Sequence, residues 1–337
     1  MNRIIVTGGA GFVGSNLTLQ LQRDNPDARM IVIDDMRTGS FENLVGHDEP
    51  FRGTVIARPL KEIDLANLAN QFQPDVIFHL ASITDTTVDD EAAMIADNVE
   101  PFETLINIAR AADIKLVWAS SAATYGTDAN GATTQRRPFT LDDAGNPANV
   151  YGFSKWVMEN LHRQALEENA EFHIVGLRYF NVFGPGEGNK GQMASMVYQL
   201  ADQILSGHRP RIFFDGTQAR DQVYVKDVVA MTIAGAADHA KPGIYNVGSG
   251  VATSFNQIIE HLNTALGTEH EPEYFENPYG FYQDYTCADL SQTKAGLNIE
   301  PQYDAEQAII QYAQWLRETR EGGPKPEGML HLEQTGD

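Results

Sequence analysis

Arg3-Ile-Ile-Val-Thr7 running into Gly8-Gly-Ala-Gly11-Phe12-Val13-Gly14 decides the fold. A short β-branched run of this kind suits a buried parallel strand. Glycines at 8, 11 and 14 let the chain turn tightly and let a pyrophosphate approach backbone N–H groups at a helix N-terminus. Such a turn is often only a turn. Here it leaves a strand, opens a helical pattern running to about Arg23, and precedes a second strand, Met30–Ile33, ending at Asp34-Asp35. An acidic residue about 20 positions on is where adenosine ribose hydroxyls are bound. The expected cofactor contacts here are therefore Gly8, Gly11, Phe12, Val13, Gly14, Asp34 and Asp35. Two carboxylates repel a 2′-phosphate and favour NAD, whereas Arg37 is placed to accept one and keeps NADP open.

Further along, residues 36–58 form a loop with little pattern. A helix follows Asp64 over Leu65–Phe72, then a strand over Val76–Ala81, a long helix over residues 91–112, a strand over Lys115–Ala119 and another over Phe172–Leu177. This alternation predicts an α/β, Rossmann-like doubly wound parallel sheet, in which ligands gather beyond the carboxyl ends of the strands. His79 reads as a core or strand-end histidine.

The strand over 115–119 ends in Ser120-Ser121, and Tyr151-Gly-Phe-Ser-Lys155 opens a later helix. A Tyr and a Lys four residues apart share a helix face. There an ammonium stabilises a phenolate and lowers a phenol pKa that is normally about 10. With Ser121 holding a substrate oxygen, the trio suits removing a proton from an alcohol whose carbon loses hydride. A serine at a strand end also serves simply to cap the next turn.

The 337 residues carry a net charge of −22, which makes nucleic acid and anionic membrane poor partners. One cysteine, Cys287, rules out an internal disulfide and a cysteine metal cluster, in keeping with a reducing cytoplasm. The nine histidines show no ligand spacing, so no metal is expected. The opening residues run straight into a strand with no secretory pattern, and no apolar run approaches the roughly 20 residues that span a bilayer.

The Gly-x-x-Gly-x-x-Gly spacing resembles the extended branch of the short-chain dehydrogenase/reductases. Ser120–Gly126, Asn149–Lys155, Gly186–Ser195 with its Lys190-Gly-Gln-Met193-Ala194-Ser195, Phe213–Gly216, Arg220–Val228, residues 246–255 and Tyr282–Leu290 are similar to the nucleotide-sugar epimerases that act on ADP-glycero-manno-heptose. That resemblance covers residue 3 to about 318. It implies an epimerase with tightly held NAD(P), passing through a transient keto sugar. Ser121, Tyr151 and Lys155 would be catalytic, and Lys190 a second acid/base facing Tyr151; a plain reading of Lys190 is a surface or phosphate-binding lysine. Asp64, Leu65, Leu80, Ala81 and Asn98 become cofactor contacts together with Tyr151 and Lys155. Thr86, Thr87, Ser121, Asn181, Lys190, Met193, Ala194, Arg220 and Tyr282 become substrate contacts. Arg220 would grip the nucleotide diphosphate, with a salt bridge to Asp221 as its alternative. The resemblance also implies a homo-oligomer.

The sequence divides as 1–179 plus 223–251 for the cofactor domain, 180–222 plus 252–320 for a smaller, mostly helical substrate lobe, and 321–337 as a flexible tail. Residues 273–281 lack most of the branch's Pro-x-x-Leu-x-Gly stretch and 41–58 follow it poorly. A UDP-hexose 4-epimerase or another nucleotide-sugar dehydrogenase or dehydratase is the rival reading. Ala122-Ala123 after Ser121, where dehydratases need an acidic pair, disfavours the dehydratase. A non-catalytic NAD-sensing regulator is the alternative of another class.

Overall fold

A computed structural model describes residues 1–45, 49–126, 136–276 and 283–320. Tyr282 and the tail from 321 lie outside the described residues. The chain opens with β1 (Arg3–Thr7), α1 (Phe12–Asp24), β2 (Arg29–Asp34), α2 (Glu42–Val45), β3 (Thr54–Ala57), α3 (Leu65–Phe72) and β4 (Val76–His79). After α4 (Glu91–Met94) and α5 (Glu100–Ala111) come β5 (Lys115–Ser121), α6 (Val150–Glu168) and β6 (Ile174–Tyr179). These strands read as unbroken apolar runs because both of their faces are covered. Ile4 and Val6 point into one core with Leu17 and Leu21 of α1. Ile5 points into the other with Ile77, Leu65 of α3 and Phe102 and Leu105 of α5, as the two-residue repeat of a strand requires.

Beyond β6 the chain forms β7 (Asn181–Phe183), α7 (Met196–Leu205), β8 (Arg211–Phe213), β9 (Ala219–Tyr224), α8 (Val225–Ala234) and β10 (Gly243–Val247). It ends with β11 (Ala252–Ser254), α9 (Phe255–Leu266), β12 (Glu273–Phe275), α10 (Ser291–Leu297) and α11 (Ala305–Arg320). The main sheet has seven strands in the order β10-β6-β5-β4-β1-β2-β3, with parallel pairing throughout. β9 lies between β7 and β11 in a three-stranded sheet, and β8 pairs with β12. Val223 and Tyr224 thus belong to the smaller sheet, and the chain returns to the main layer through α8, which packs on α1, and β10, which packs on β6.

Two expectations need correction. Residues 36–58 hold α2 and the edge strand β3; the Thr54-Val-Ile run was its signal, and only half-burial at an edge kept that signal short. Residues 91–112 form the long helix expected, but it is not α throughout, because Ile95–Val99 widens into a π-helical turn between α4 and α5. Pro101 has no N–H to donate back to residue 97, so a change of helical register costs least there. Among the described residues no helix is long and apolar enough to cross a membrane.

Candidate active site

The sheet order reverses at β1, whose successor β2 lies on one side and β4 on the other, so a crevice opens beyond their carboxyl ends. The glycine turn fills its floor. Gly8 has φ +69°, and a Cβ on it would stand 2.6 Å from the Ala81 nitrogen. A Cβ on Gly14 would overlap the Gly8 carbonyl oxygen. Gly11 caps α1 in extended conformation with no side-chain oxygen on the first amides. The turn has no room for side chains at Gly8 and Gly14 and presents backbone at a helix start, which fits a pyrophosphate. The Leu80 nitrogen donates to the Thr7 carbonyl (3.0 Å) and the Ala81 nitrogen to Thr7 Oγ1 (3.3 Å). Gly8, Gly11, Phe12, Val13, Gly14, Leu80 and Ala81 are thereby brought together.

The other expected cofactor residues are distributed differently. The Asp34 carboxylate is buried and accepts from Ala10 and Met36 nitrogens (2.9 Å each), and burial raises its pKa above the usual carboxylate value. Asp35 pairs with Arg37. Asp64 caps α3 by accepting from the Asn67 nitrogen (2.9 Å), and Leu65 is in the core. The carboxamide of Asn98 accepts from the Ile83 nitrogen (2.7 Å) and donates to the Ile83 carbonyl, Met94 Sδ and Ser154 Oγ. Asn98 therefore clasps the segment after β4 to α6. His79 is a core residue as expected, its Nδ1 2.7 Å from Thr7 Oγ1 and its ring stacked on Phe102.

Local packing builds the Ser–Tyr–Lys trio. Ser121 ends β5, and its Oγ accepts from the Ala123 nitrogen (3.1 Å), which opens a short turn. Asn149 caps α6 by accepting from the Gly152 nitrogen (2.7 Å). Gly152 lets the helix start press on that turn, since a Cβ there would lie 2.7 Å from the Ala123 carbonyl oxygen. This contact sets the buried Tyr151 phenol beside Ser121. Lys155, one helical turn on, is 2% exposed; its Nζ donates to the Ala119 carbonyl (2.8 Å) and stands 5.9 Å from the Tyr151 ring centre.

The electrostatics differ from the expectation that Lys155 lowers the phenol pKa. Burial pushes Tyr151 up, offset in part by the Ser121 hydrogen bond. Burial also pushes Lys155 down to about 7. An enclosed pocket penalises both charges singly, and the ammonium spends a hydrogen bond on the strand rather than on the phenol.

On the substrate side, Thr86 and Thr87 are exposed in the segment after β4, where Thr87 bonds Asp85 (2.6 Å). Asn181 begins β7 and accepts from Thr286 Oγ1 (3.3 Å). Arg220 lies buried on β9, donating to the Ala219 carbonyl (3.0 Å). Asp221 points elsewhere, to the Ser249, Gly250 and Ala288 nitrogens, which removes the Arg220–Asp221 salt bridge. Lys190, Met193 and Ala194 share a turn, Gly188–Met193 with its cap, that the buried carboxylate of Glu187 fastens to Gly184 and Ser195. The Lys190 ammonium stands 5.6 Å from the Phe12 ring centre, on the cofactor turn. Burial lowers its pKa while Glu187 works against that. Among the described residues no group of side chains is set to hold a metal ion.

Sequence reading missed a buried network directly behind the trio. Glu159 accepts two 2.8 Å bonds from Arg178 and one from Ser120. Arg178 continues to Tyr125 (3.0 Å), whose hydroxyl donates to Asn246 (2.6 Å). The available signal was Glu159 four residues after Lys155, together with an arginine inside the buried strand β6.

The switch-point crevice over a glycine turn defines a dinucleotide-binding enzyme of the doubly wound class. The chain belongs to the NAD dependent epimerase/dehydratase family, whose family model matches residues 4–248. It is 33% identical over 323 residues to the ADP-L-glycero-D-manno-heptose-6-epimerase of Brachyspira hyodysenteriae, covering 94% of this chain and 98% of that protein. The crystal structure of the Helicobacter pylori ADP-L-glycero-D-manno-heptose-6-epimerase superposes with a TM-score of 0.80 at 35% identity, covering 92% of this chain and 94% of that one. A UDP-N-acetylglucosamine 4-epimerase of Methanobrevibacter ruminantium gives 0.83 at 27% identity, covering 94% and 99%. These findings bear out the resemblance to the extended short-chain dehydrogenase/reductases, a family whose members are NAD dependent.

Proposed function

We propose that the protein inverts the C6 carbinol of an ADP-glycero-manno-heptose, with Ser121, Tyr151, Lys155 and Lys190 carrying the proton chemistry. The observation that carries the chemistry is the buried Tyr151 phenol beside Ser121 at the end of β5, with the buried Lys155 ammonium one helical turn on. The choice of sugar is supported by the two heptose epimerases and by the Lys190–Ser195 motif.

The glycine turn, Leu80 and Ala81 would hold NAD, which when bound takes hydride from the sugar carbon and returns it. Tyr151 removes the hydroxyl proton and Ser121 keeps the oxygen in line with it. A phenolate forming there raises the proton affinity of Lys155, which takes up the proton the phenol gives up, so the two titrate as a pair. The keto sugar turns about its C5–C6 bond and presents its other face. Lys190 then serves the new alcohol from the opposite side. Arg220 binds the diphosphate with its planar fork.

Incubating the purified protein with ADP-D-glycero-D-manno-heptose and following the sugar by proton NMR tests this reading. Conversion to the L-glycero epimer without added cofactor is expected. Stoichiometric NADH with an oxidised sugar would place the chain among the dehydrogenases, and turnover of UDP-hexoses alone would place it among the 4-epimerases.

A further inference from the structure

Lys190 stands out in the sequence, but the side chain that governs its place lies three positions earlier. Glu187 is fully buried, and its carboxylate accepts from the Gly184 nitrogen (2.9 Å), the Ser195 nitrogen (2.6 Å) and Ser195 Oγ (3.0 Å). Gly184 precedes the turn Gly188–Met193 and Ser195 follows it, so one side chain ties both ends of the loop. The Glu187 carbonyl also accepts from the Lys190 nitrogen (2.9 Å). Asn16 pins the same loop to the cofactor turn, donating to the Pro185 and Phe12 carbonyls (2.9 Å each). These ties bring Lys190 Nζ to 5.6 Å from the Phe12 ring centre. Three donors aimed at two oxygens favour an ionised carboxylate. Among the described residues that carboxylate is the one charge acting on the Lys190 ammonium, and it favours the protonated form against burial. The other titratable groups facing Glu187 are the phenols of Tyr198 on α7 and Tyr312 on α11, both held protonated by burial. Asp202 and Arg320 act on Tyr198 from farther out and pair with each other.

We propose that Glu187 is the positioning residue of the second proton-transfer group: its carboxylate closes the loop that carries Lys190 to the cofactor turn and is the counter-charge beside which the ammonium works. The inference rests on the reading of Lys190 as an acid/base and goes beyond it by naming what holds and tunes that lysine. When the keto sugar is reduced on its new face, Lys190 gives a proton to the alcohol oxygen, its N–H breaking as the O–H forms. Solvent then restores that proton, and Tyr151 releases the one it took. The form of Lys190 that acts in this step is the ammonium, so the rate falls as pH rises through its pKa. A carboxylate close by moves that fall to higher pH, and its removal brings the fall earlier.

The pH profile of kcat for ADP-D-glycero-D-manno-heptose tests this in the full-length protein, Glu187→Gln, Glu187→Asp, Lys190→Met and the double variant Glu187→Gln/Lys190→Met. In Glu187→Gln the alkaline limb should move about one pH unit toward acid, lowering kcat about tenfold on that side. Its KM and NAD affinity should stay within about threefold, which also reports that it is folded. Glu187→Asp keeps the charge on a shorter arm, so it should lower kcat about tenfold across the profile and leave the limb in place. If Glu187→Gln does not fold, Glu187→Asp decides: a wild-type kcat there overturns the inference. In the Lys190→Met background, Glu187→Gln should cost no further kcat, because the group it serves is gone. A Glu187→Gln profile that coincides with the wild type, or an equal loss in both backgrounds, overturns the inference while leaving Lys190 as an acid/base. Lys190→Met with the wild-type rate and profile overturns that reading and the inference together.

Discussion

Lys155 and Glu159 lie one turn apart on the same face of α6, both almost without exposure, and they end in opposite conditions. Glu159 receives Arg178 through both oxygens, Ser120 through one and Arg163 through the other. Burial of that charge is answered at every lone pair in reach, and the result is a rigid joint between β5, β6 and α6. Among the described residues Lys155 has one carbonyl and no carboxylate, and burial brings its pKa to about 7. Tyr151 likewise has one hydroxyl partner and a raised pKa. A buried charge with all its partners fixes geometry; Lys155, short of partners, stays ready to exchange a proton near neutral pH, while burial holds the Tyr151 phenol protonated there. Ser120 and Ser121 repeat the contrast on the neighbouring strand, the first bonded to Glu159 and the second to the reactive phenol.

The largest expected effect falls on the satisfied side. Glu159→Ala strands Arg178, which is 1% exposed, and should cost about 3–5 kcal/mol in denaturant unfolding. Adding Arg178→Met should recover part of that loss, because the uncompensated charge goes with it. A loss below about 1 kcal/mol would erase the division drawn between the two regions.

A smaller effect, opposite in sign, is expected one turn earlier. The unfolded lysine keeps its proton up to about pH 10.5, and the folded one releases it near 7. The penalty for burying Lys155 is therefore complete below pH 7 and fades as pH rises toward 10.5. Lys155→Met should accordingly stabilise the cofactor-free protein, more at pH 6 than at pH 9.5. The difference in the Tm gain between those two pH values should be at least about 2 °C by scanning calorimetry. A gain independent of pH would mean that Lys155 is not titrating in the folded state.

The sequence was legible wherever local chemistry and fold agree. Gly8 and Gly14 stand where side chains do not fit, and the β-branched runs became the inner strands because both of their faces are covered. The Tyr151–Lys155 pair was legible because its spacing follows the helical period. What stayed hidden depended on partners distant in sequence. The edge strand β3 is defined by pairing with β2 more than by its own four residues. The π-helical turn at Ile95–Val99 follows from a single proline, and the Glu159–Arg178 network joins residues 19 apart that no short motif contains. The raised Tyr151 pKa was misjudged for the same reason: spacing reveals a neighbouring ammonium, whereas desolvation depends on the whole enclosure.

The most direct test of the proton chemistry is turnover by Tyr151→Phe, measured beside its NAD affinity and its Tm. The account predicts that kcat falls by about 10²–10⁴ while NAD binding and thermal stability stay close to wild type, since the phenylalanine ring keeps the packing and, among the described residues, gives up only the contact with Ser121. A Tyr151→Phe protein that epimerises at the wild-type rate would contradict it.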